Sequence, residues 1–91
     1  MAICVYFPPA GFTTKQYGEV LERLEQAGVG TPKGRLHHSC FGDPSSLQVV
    51  DVWESQETFD AFGQALMPIL SGVGYQPAPP MIEPVHNIIV G

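Results

Sequence analysis

Basic residues are scarce in this 91-residue chain, and they are placed unevenly along it. Four Lys and Arg stand against nine Asp and Glu, which gives a formal net charge of −5. All four bases lie at or before Arg35, and no Lys or Arg follows. Neutralising nucleic-acid phosphates or an anionic membrane surface requires clustered cations. The sequence therefore predicts no nucleic-acid partner and no membrane partner, and it mildly disfavours anionic substrates.

Long apolar runs and paired cysteines are also lacking. The opening apolar run, residues 2–7, stops at Pro8 and has no basic region before it, so neither a membrane span nor an export signal is predicted. The two cysteines, Cys4 and Cys40, lie in apolar runs without a Cys-x-x-Cys spacing or a disulfide framework. We expect two reduced core thiols and a cytoplasmic location.

No motif for a metal or a nucleotide is present. The chain has no His-x-x-x-His, no paired Cys-x-x-Cys and no carboxylate cluster. The stretch Gly28-Val29-Gly30 follows a predicted helix rather than a strand, which is typical of a helix end and not of a phosphate-binding loop. The serines have no nucleophile context. No metal and no cofactor are therefore predicted.

What the chain does contain favours one small folded domain, 1–91. With 44% hydrophobic and 14% charged residues, the composition is too apolar for a disordered chain and has too little charge for a coiled coil. Ninety-one residues can bury a single thin core but cannot form a second domain.

The order of predicted elements is β-α-β-β-α-β. Because Pro68 lacks an amide hydrogen and clashes with the preceding turn, the second helix is expected to break or kink near Met67. Pro84 places the last strand at an edge of the sheet. Right-handed crossovers then give an α+β, ferredoxin-like fold: a four-stranded antiparallel sheet, first and third strands central, with two helices on one face. The predicted elements are strand 2–7, a helix from Thr13 or Thr14 to Gly28, strands 35–41 and 47–54, a helix capped by Ser55, and strand 82–90.

Both faces of the predicted sheet are apolar. In the third strand Val49 and Trp53 lie on one face, and Val50 and Val52 lie on the other. A face without helices that is nevertheless apolar should meet another surface, and a second copy of the chain is the simplest closed solution. We therefore predict a homodimer.

The segment VVDVWESQETFDAF, residues 49–62, followed by Leu66 and Pro68, resembles the strand-into-helix segment of dimeric α/β-barrel proteins, the superfamily of antibiotic-biosynthesis-type monooxygenases. The resemblance covers the whole chain in length and element order, and it is specific within that segment. The superfamily includes cofactor-independent monooxygenases, haem-degrading enzymes, muconolactone-type isomerases and members without known activity. It implies a dimeric α/β barrel with an apolar pocket between sheet and helices. The Asn in the first strand and the His in the second helix of haem-degrading members are absent, which disfavours haem chemistry.

The predicted hairpin places a histidine beside a carboxylate. A turn centred between Pro44 and Ser45 sets His38 opposite Asp51 and Leu36 opposite Trp53, whereas a one-residue bulge would put His37 beside Asp51. An imidazole that is hydrogen-bonded to a buried acid is a common general base, so His38 and Asp51 are candidate catalytic residues. The alternative is a polar pair that only satisfies a buried carboxylate.

Three further side chains are candidate ligand contacts: Tyr17, Trp53 and His86. For Tyr17 and Trp53 the alternative is plain core packing, and for His86 it is a polar edge position. The sequence thus predicts a protein that binds an apolar or aromatic small molecule, with cofactor-independent oxygenation or isomerisation as the expected chemistry. The alternative is a non-enzymatic module for dimerisation or ligand sequestration.

Overall fold

A computed structural model describes the whole chain, Met1–Gly91. The sheet order is β2-β3-β1-β4 and every neighbouring pair is antiparallel. This confirms the ferredoxin-like α+β fold, with β1 and β3 in the centre and β4 at an edge. The elements are β1 (Ile3–Phe7), α1 (Thr14–Gln26), β2 (Arg35–Asp43), β3 (Ser46–Trp53), α2 (Gln56–Gly72) and β4 (Met81–Pro84).

Helix α1 is defined by its caps and by one apolar side. Thr13 is the N-cap: its Oγ1 accepts from the backbone N–H of Gln16 at 3.1 Å, while Gln16 Oε1 accepts from the Thr13 N–H at 3.0 Å. After the last turn, Gly28 takes a left-handed φ of 76°, which ends the helix at low steric cost. Val20 and Leu24 are buried against the sheet, so the helix is oriented by its apolar side.

The β2–β3 hairpin sets the register of the site. His38 lies opposite Asp51 as predicted, but a bulge between Arg35 and His37 places Arg35 opposite Trp53, so the predicted pairing of Leu36 with Trp53 is wrong. The bulge turns Leu36 outward, 56% exposed.

Just before the bulge, the chain makes a close contact with α2. Gly34 approaches α2 so closely that a Cβ there would lie 2.6 Å from Cβ of Thr58. Its carbonyl also accepts from the Glu54 N–H at 2.8 Å. These contacts hold Gly34 against α2 and the end of β3, two residues before the bulged residue Leu36.

Helix α2 is continuous through Pro68, so of the two predicted outcomes, a break or a kink near Met67, the break is wrong. The proline removes one helical hydrogen bond without ending the helix. Leu66 packs against the core before the proline and Leu70 is buried after it. Packing on both sides therefore holds the two parts of the helix in one element.

Strand β4 is shorter than predicted, ending at Pro84 rather than residue 90. The reason lies in its neighbour: Pro84 pairs with Ile3, the first residue of β1. Past that point only the Val85 N–H finds a partner, the Ala2 carbonyl at 2.9 Å. The rest of the chain has no neighbouring strand to pair with.

The core lies between the sheet and the two helices. The opposite face of the sheet carries Cys4, Tyr6, Val50 and Val52, all half-buried, and no element of this chain covers it. Both Cys4 and Cys40 are free thiols and are half-buried rather than fully buried. Neither helix combines the length and apolar character needed to cross a bilayer. The buried apolar residues are Val5, Phe12, Val20, Leu24, Leu47, Trp53, Phe62, Leu70 and Tyr75.

Candidate functional site

An apolar cleft opens between the sheet and the helices. The empty space along it, counted together with its opening to solvent, is about 610 Å³, and 12 of its 16 lining residues are hydrophobic. One end of its wall is aromatic: the rings of Phe12 and Tyr75 stack at a centroid distance of 4.1 Å. The loop that carries Phe12 is tied to the hairpin, since the Leu47 N–H donates to the Phe12 carbonyl at 2.7 Å. Such a cleft suits an apolar ligand with few polar groups.

Three polar side chains form a hydrogen-bonded chain along the cleft wall. Nδ1 of His38 lies 2.6 Å from Oδ1 of Asp51, and Nε2 of His38 lies 2.7 Å from the Tyr17 hydroxyl. A carboxylate only accepts, so a neutral His38 carries its proton on Nδ1 and donates it to Asp51. Nε2 is then an acceptor, and the Tyr17 hydroxyl donates to it. The arrangement fixes the tautomer of His38, and Tyr17 is the last of the three hydrogen-bonded side chains.

Each member of the Tyr17–His38–Asp51 chain comes from a different element. Tyr17 stands on α1, His38 on β2 and Asp51 on β3, and the last two are direct cross-strand neighbours. The side chain of Asp51 is 6% exposed and that of His38 is 23% exposed. The carboxylate is thus sealed behind the imidazole, and the imidazole reaches the wall of the cleft.

Burial raises the pKa of the Tyr17 hydroxyl above its usual 10.0. The nearby Cys40 and Asp51 raise this pKa further, while the positive charge of Arg35 lowers it. Burial also raises the pKa of the Cys40 thiol. Tyr17 is therefore a neutral phenol near pH 7, as its role as a donor to His38 requires.

Two predicted ligand contacts lie elsewhere. Trp53 is fully buried in the core, with its ring 5.2 Å from Phe62 and 5.8 Å from Phe59, and it does not line the cleft. Its Nε1 has no hydrogen-bond partner. His86 is exposed in the segment after β4, also away from the cleft. The structure brings together Tyr17, His38 and Asp51, but neither Trp53 nor His86 joins them.

The register of the hairpin decides which histidine, His38 or His37, lies beside Asp51. His37 projects from the other face of the sheet, where it is exposed and its Nε2 lies 2.6 Å from the Ser39 hydroxyl. It makes no contact with Asp51. No group of three or more His, Cys, Asp or Glu side chains has a geometry that could hold a metal ion.

Sequence reasoning missed Arg35 as a cleft residue. Its guanidinium carbon lies 6.0 Å from the centre of the Phe62 ring, and Nη2 donates to the Gly30 carbonyl at 3.4 Å. In an unbulged hairpin Arg35 would lie on the opposite face, because side chains alternate along a strand. The bulge at Leu36 brings Arg35 to the cleft, and nothing in the composition of the strand indicates that bulge.

The sheet order and the helices on one face give a ferredoxin-like fold, which is similar to the fold of candidate antibiotic biosynthesis monooxygenases of known structure. Solved structures of that type cover the chain almost completely. The cofactor-independent oxygenase SnoaB from Streptomyces nogalater matches with a TM-score of 0.60 at 15% identity, over 97% of this chain and 94% of that one. A candidate antibiotic biosynthesis monooxygenase from Chloroflexus aurantiacus matches with a TM-score of 0.57 at 14% identity, over 99% and 97% of the two chains.

These likenesses confirm at the level of the fold the resemblance that residues 49–62 carry. A third structure, Rv0793 from Mycobacterium tuberculosis, has a TM-score of 0.55 at 12% identity and covers 98% of this chain and 95% of its own. No protein-family model matches the sequence, and no curated protein matches it. At such identities the shared property is the fold.

Proposed function

We propose that this protein binds an apolar or aromatic small molecule in the cleft and moves a proton on it through Tyr17, His38 and Asp51. The observation that carries the proposal is the hydrogen-bonded chain of these three side chains on an apolar wall. Buried polar groups there act on a ligand in a setting of low dielectric constant, which strengthens their effect.

The order of the three hydrogen-bonded side chains determines how the proton moves. Because the pKa of Tyr17 is raised, its phenol does not give up its proton alone at neutral pH. It passes that proton to Nε2 of His38 while its oxygen accepts one from a weakly acidic C–H of the ligand. The resulting imidazolium is stabilised by the carboxylate of Asp51, and the ligand is left as a carbanion.

Two reactions share this first step. In an isomerisation the proton returns to a different carbon of the ligand. In a cofactor-independent oxygenation the carbanion gives its electrons to dioxygen, so that a CH₂ group and O₂ yield a carbonyl group and water. SnoaB, with which this chain shares its fold, is described as a cofactor-independent oxygenase, and this supports the second reaction.

A second candidate function is ligand sequestration without chemistry. The three hydrogen-bonding side chains already satisfy one another without a ligand, as purely structural groups would. In that case the cleft holds its ligand and leaves it unchanged.

The experiment combines binding with proton exchange. Fused-ring phenols and unsaturated lactones are screened through the fluorescence of the sole tryptophan, Trp53, whose ring lies beside the cleft residue Phe62. Compounds that bind are then incubated with the protein in D₂O, with NMR to follow exchange of acidic C–H groups and an electrode to follow oxygen uptake. We expect Tyr17→Phe and His38→Gln each to lower the rate roughly 10²–10⁴-fold, the usual contribution of general acid–base catalysis.

The matched control is His37→Gln, which removes the neighbouring imidazole on the opposite face and should leave the rate unchanged. Melting temperatures should move little in all three variants. A rate that survives both Tyr17→Phe and His38→Gln contradicts the relay. Binding without exchange or turnover supports sequestration, and a cleft that binds no compound refutes ligand binding altogether.

We also propose that the open face of the sheet is the interface of a homodimer. Cys4, Tyr6, Val50 and Val52 make its centre apolar. The Tyr6 hydroxyl donates to Oε1 of Gln48, so the phenol on this face already has a hydrogen-bond partner within its own chain. A self-complementary apolar face is the usual basis of a two-fold dimer.

A further inference from the structure

Arg35 is the one guanidinium on the cleft wall, and it has no carboxylate partner. The only ion pair of the structure joins His38 and Asp51. Of the five N–H donors of the Arg35 side chain, the fold uses one, in a long hydrogen bond of 3.4 Å to the Gly30 carbonyl. The remaining donors are free to bind a ligand.

Arg35 differs from an ordinary surface arginine in its burial and in its apolar surroundings. The residue is half-buried, and its guanidinium lies beside Phe62 on a wall whose residues are mostly hydrophobic. A neutral apolar ligand that covered the guanidinium would remove its hydration water without supplying hydrogen bonds to replace it. An anionic group would replace that water with charge-assisted hydrogen bonds.

The other charge on the wall is set back from the cleft, with an almost fully buried side chain. Asp51 is the only acidic residue that lines the cleft, and its carboxylate is hydrogen-bonded to His38. The net charge of −5 disfavours anions at long range, but at physiological ionic strength charges are screened beyond about 8 Å. The local cation therefore decides which ligands are bound.

We propose that Arg35 is a specificity residue that selects aromatic monoanions, with a planar carboxylate or enolate oxygen pair bound by its guanidinium fork. This inference rests on the proposed function, since it assumes that the cleft holds an aromatic ligand. It adds that the ring lies against the apolar wall, that the anionic group is at Arg35, and that the reacting C–H faces Tyr17.

The test uses two probes that share shape and differ in charge, 2-naphthoate and 2-naphthamide, in calorimetric titrations at pH 7. The wild-type protein is expected to bind 2-naphthoate roughly tenfold to a hundredfold more tightly, as for hydrogen bonds to a charged group. Arg35→Gln should abolish this preference and leave the affinity for 2-naphthamide unchanged. The preference of the wild-type protein should also fall as salt is added.

The matched control is Arg23→Gln, which removes the only other arginine, an exposed residue of α1 outside the cleft. It should retain the full preference for 2-naphthoate. Arg35→Lys keeps the charge without the planar fork and should retain part of it, so the proposal is tested even if Arg35→Gln folds poorly.

Equal binding of the two probes by the wild-type protein, or a preference that survives Arg35→Gln, overturns the role of Arg35 while the cleft stands as an aromatic site. Binding of neither probe overturns the aromatic site itself, and the proposed function with it. The two failures are therefore distinguishable.

Discussion

Asp51 is a carboxylate held inside a central strand, and its surroundings show what makes that possible. Its side chain is almost fully buried, and its hydrogen-bonding partner is the imidazole of His38 on the neighbouring strand. The buried acid and the histidine thus depend on each other: removing the imidazole leaves the Asp51 carboxylate without its partner, and removing Asp51 leaves Nδ1 of His38 without its acceptor. This interdependence holds whether or not the pair takes part in catalysis.

A substitution at Asp51 measures that dependence. Asp51→Ala should lower the free energy of unfolding by about 1–3 kcal/mol, because the His38 Nδ1–H is left without its acceptor. Chemical denaturation followed by circular dichroism gives the value. Asp60→Ala is the control, because Asp60 is exposed on α2 and bonds only to Gln56, and it should change stability by less than about 0.5 kcal/mol. A similarly small change for Asp51→Ala would show that the pair adds nothing to stability.

At the scale of elements, α2 illustrates packing prevailing over local preference. Pro68 is exposed and stands inside a helix of 17 residues, where it removes a hydrogen bond. The helix persists because apolar residues on either side of the proline are anchored in the core. The proline is thus a local defect that the helix tolerates.

If that is so, removing the defect should stabilise the protein. Pro68→Ala is expected to raise the free energy of unfolding by about 1–3 kcal/mol, since proline is about 3 kcal/mol less favourable than alanine within a helix. The neighbouring exposed residue offers a control, Met67→Ala, for which little change is expected. A loss of stability in Pro68→Ala would mean that the core needs the proline to place Leu70 and Tyr75.

On the scale of the whole molecule, the sheet has one covered face and one open face. The helices cover the face with Val5 and Trp53, while the face with Tyr6 and Val50 is left to solvent in a single subunit. Obligate interfaces bury large apolar areas of this kind. In the proposed homodimer, the sheet of the second copy would cover this open face.

Sedimentation at micromolar concentration should therefore report about 20 kDa, twice the 9.9 kDa of one chain. Val50→Asp puts a carboxylate at the centre of the open face, facing its own copy across a two-fold axis, and should give monomers. Met67→Asp adds the same charge on the exposed side of α2 and should leave the dimer intact. A wild-type protein that sediments as a stable monomer rules out the interface.

The sequence by itself determined the element order and the central position of β1 and β3, and it reduced the candidate partners of Asp51 to His38 and His37. Each depends on local information: apolar runs indicate buried strands, and a two-residue turn at Pro44 and Ser45 sets the register by counting. The same reasoning singled out Tyr17 from the apolar side of α1. That these residues act on a ligand stays a prediction.

Only the tertiary structure decided the composition of the cleft. A bulge at Leu36 brings Arg35 to the wall, and directly before it Gly34 packs against α2, a contact between segments far apart in the chain. Packing also keeps α2 whole through Pro68, and β4 ends where β1 offers no further partner. These features arise from long-range contacts, and local sequence patterns carry no information about them.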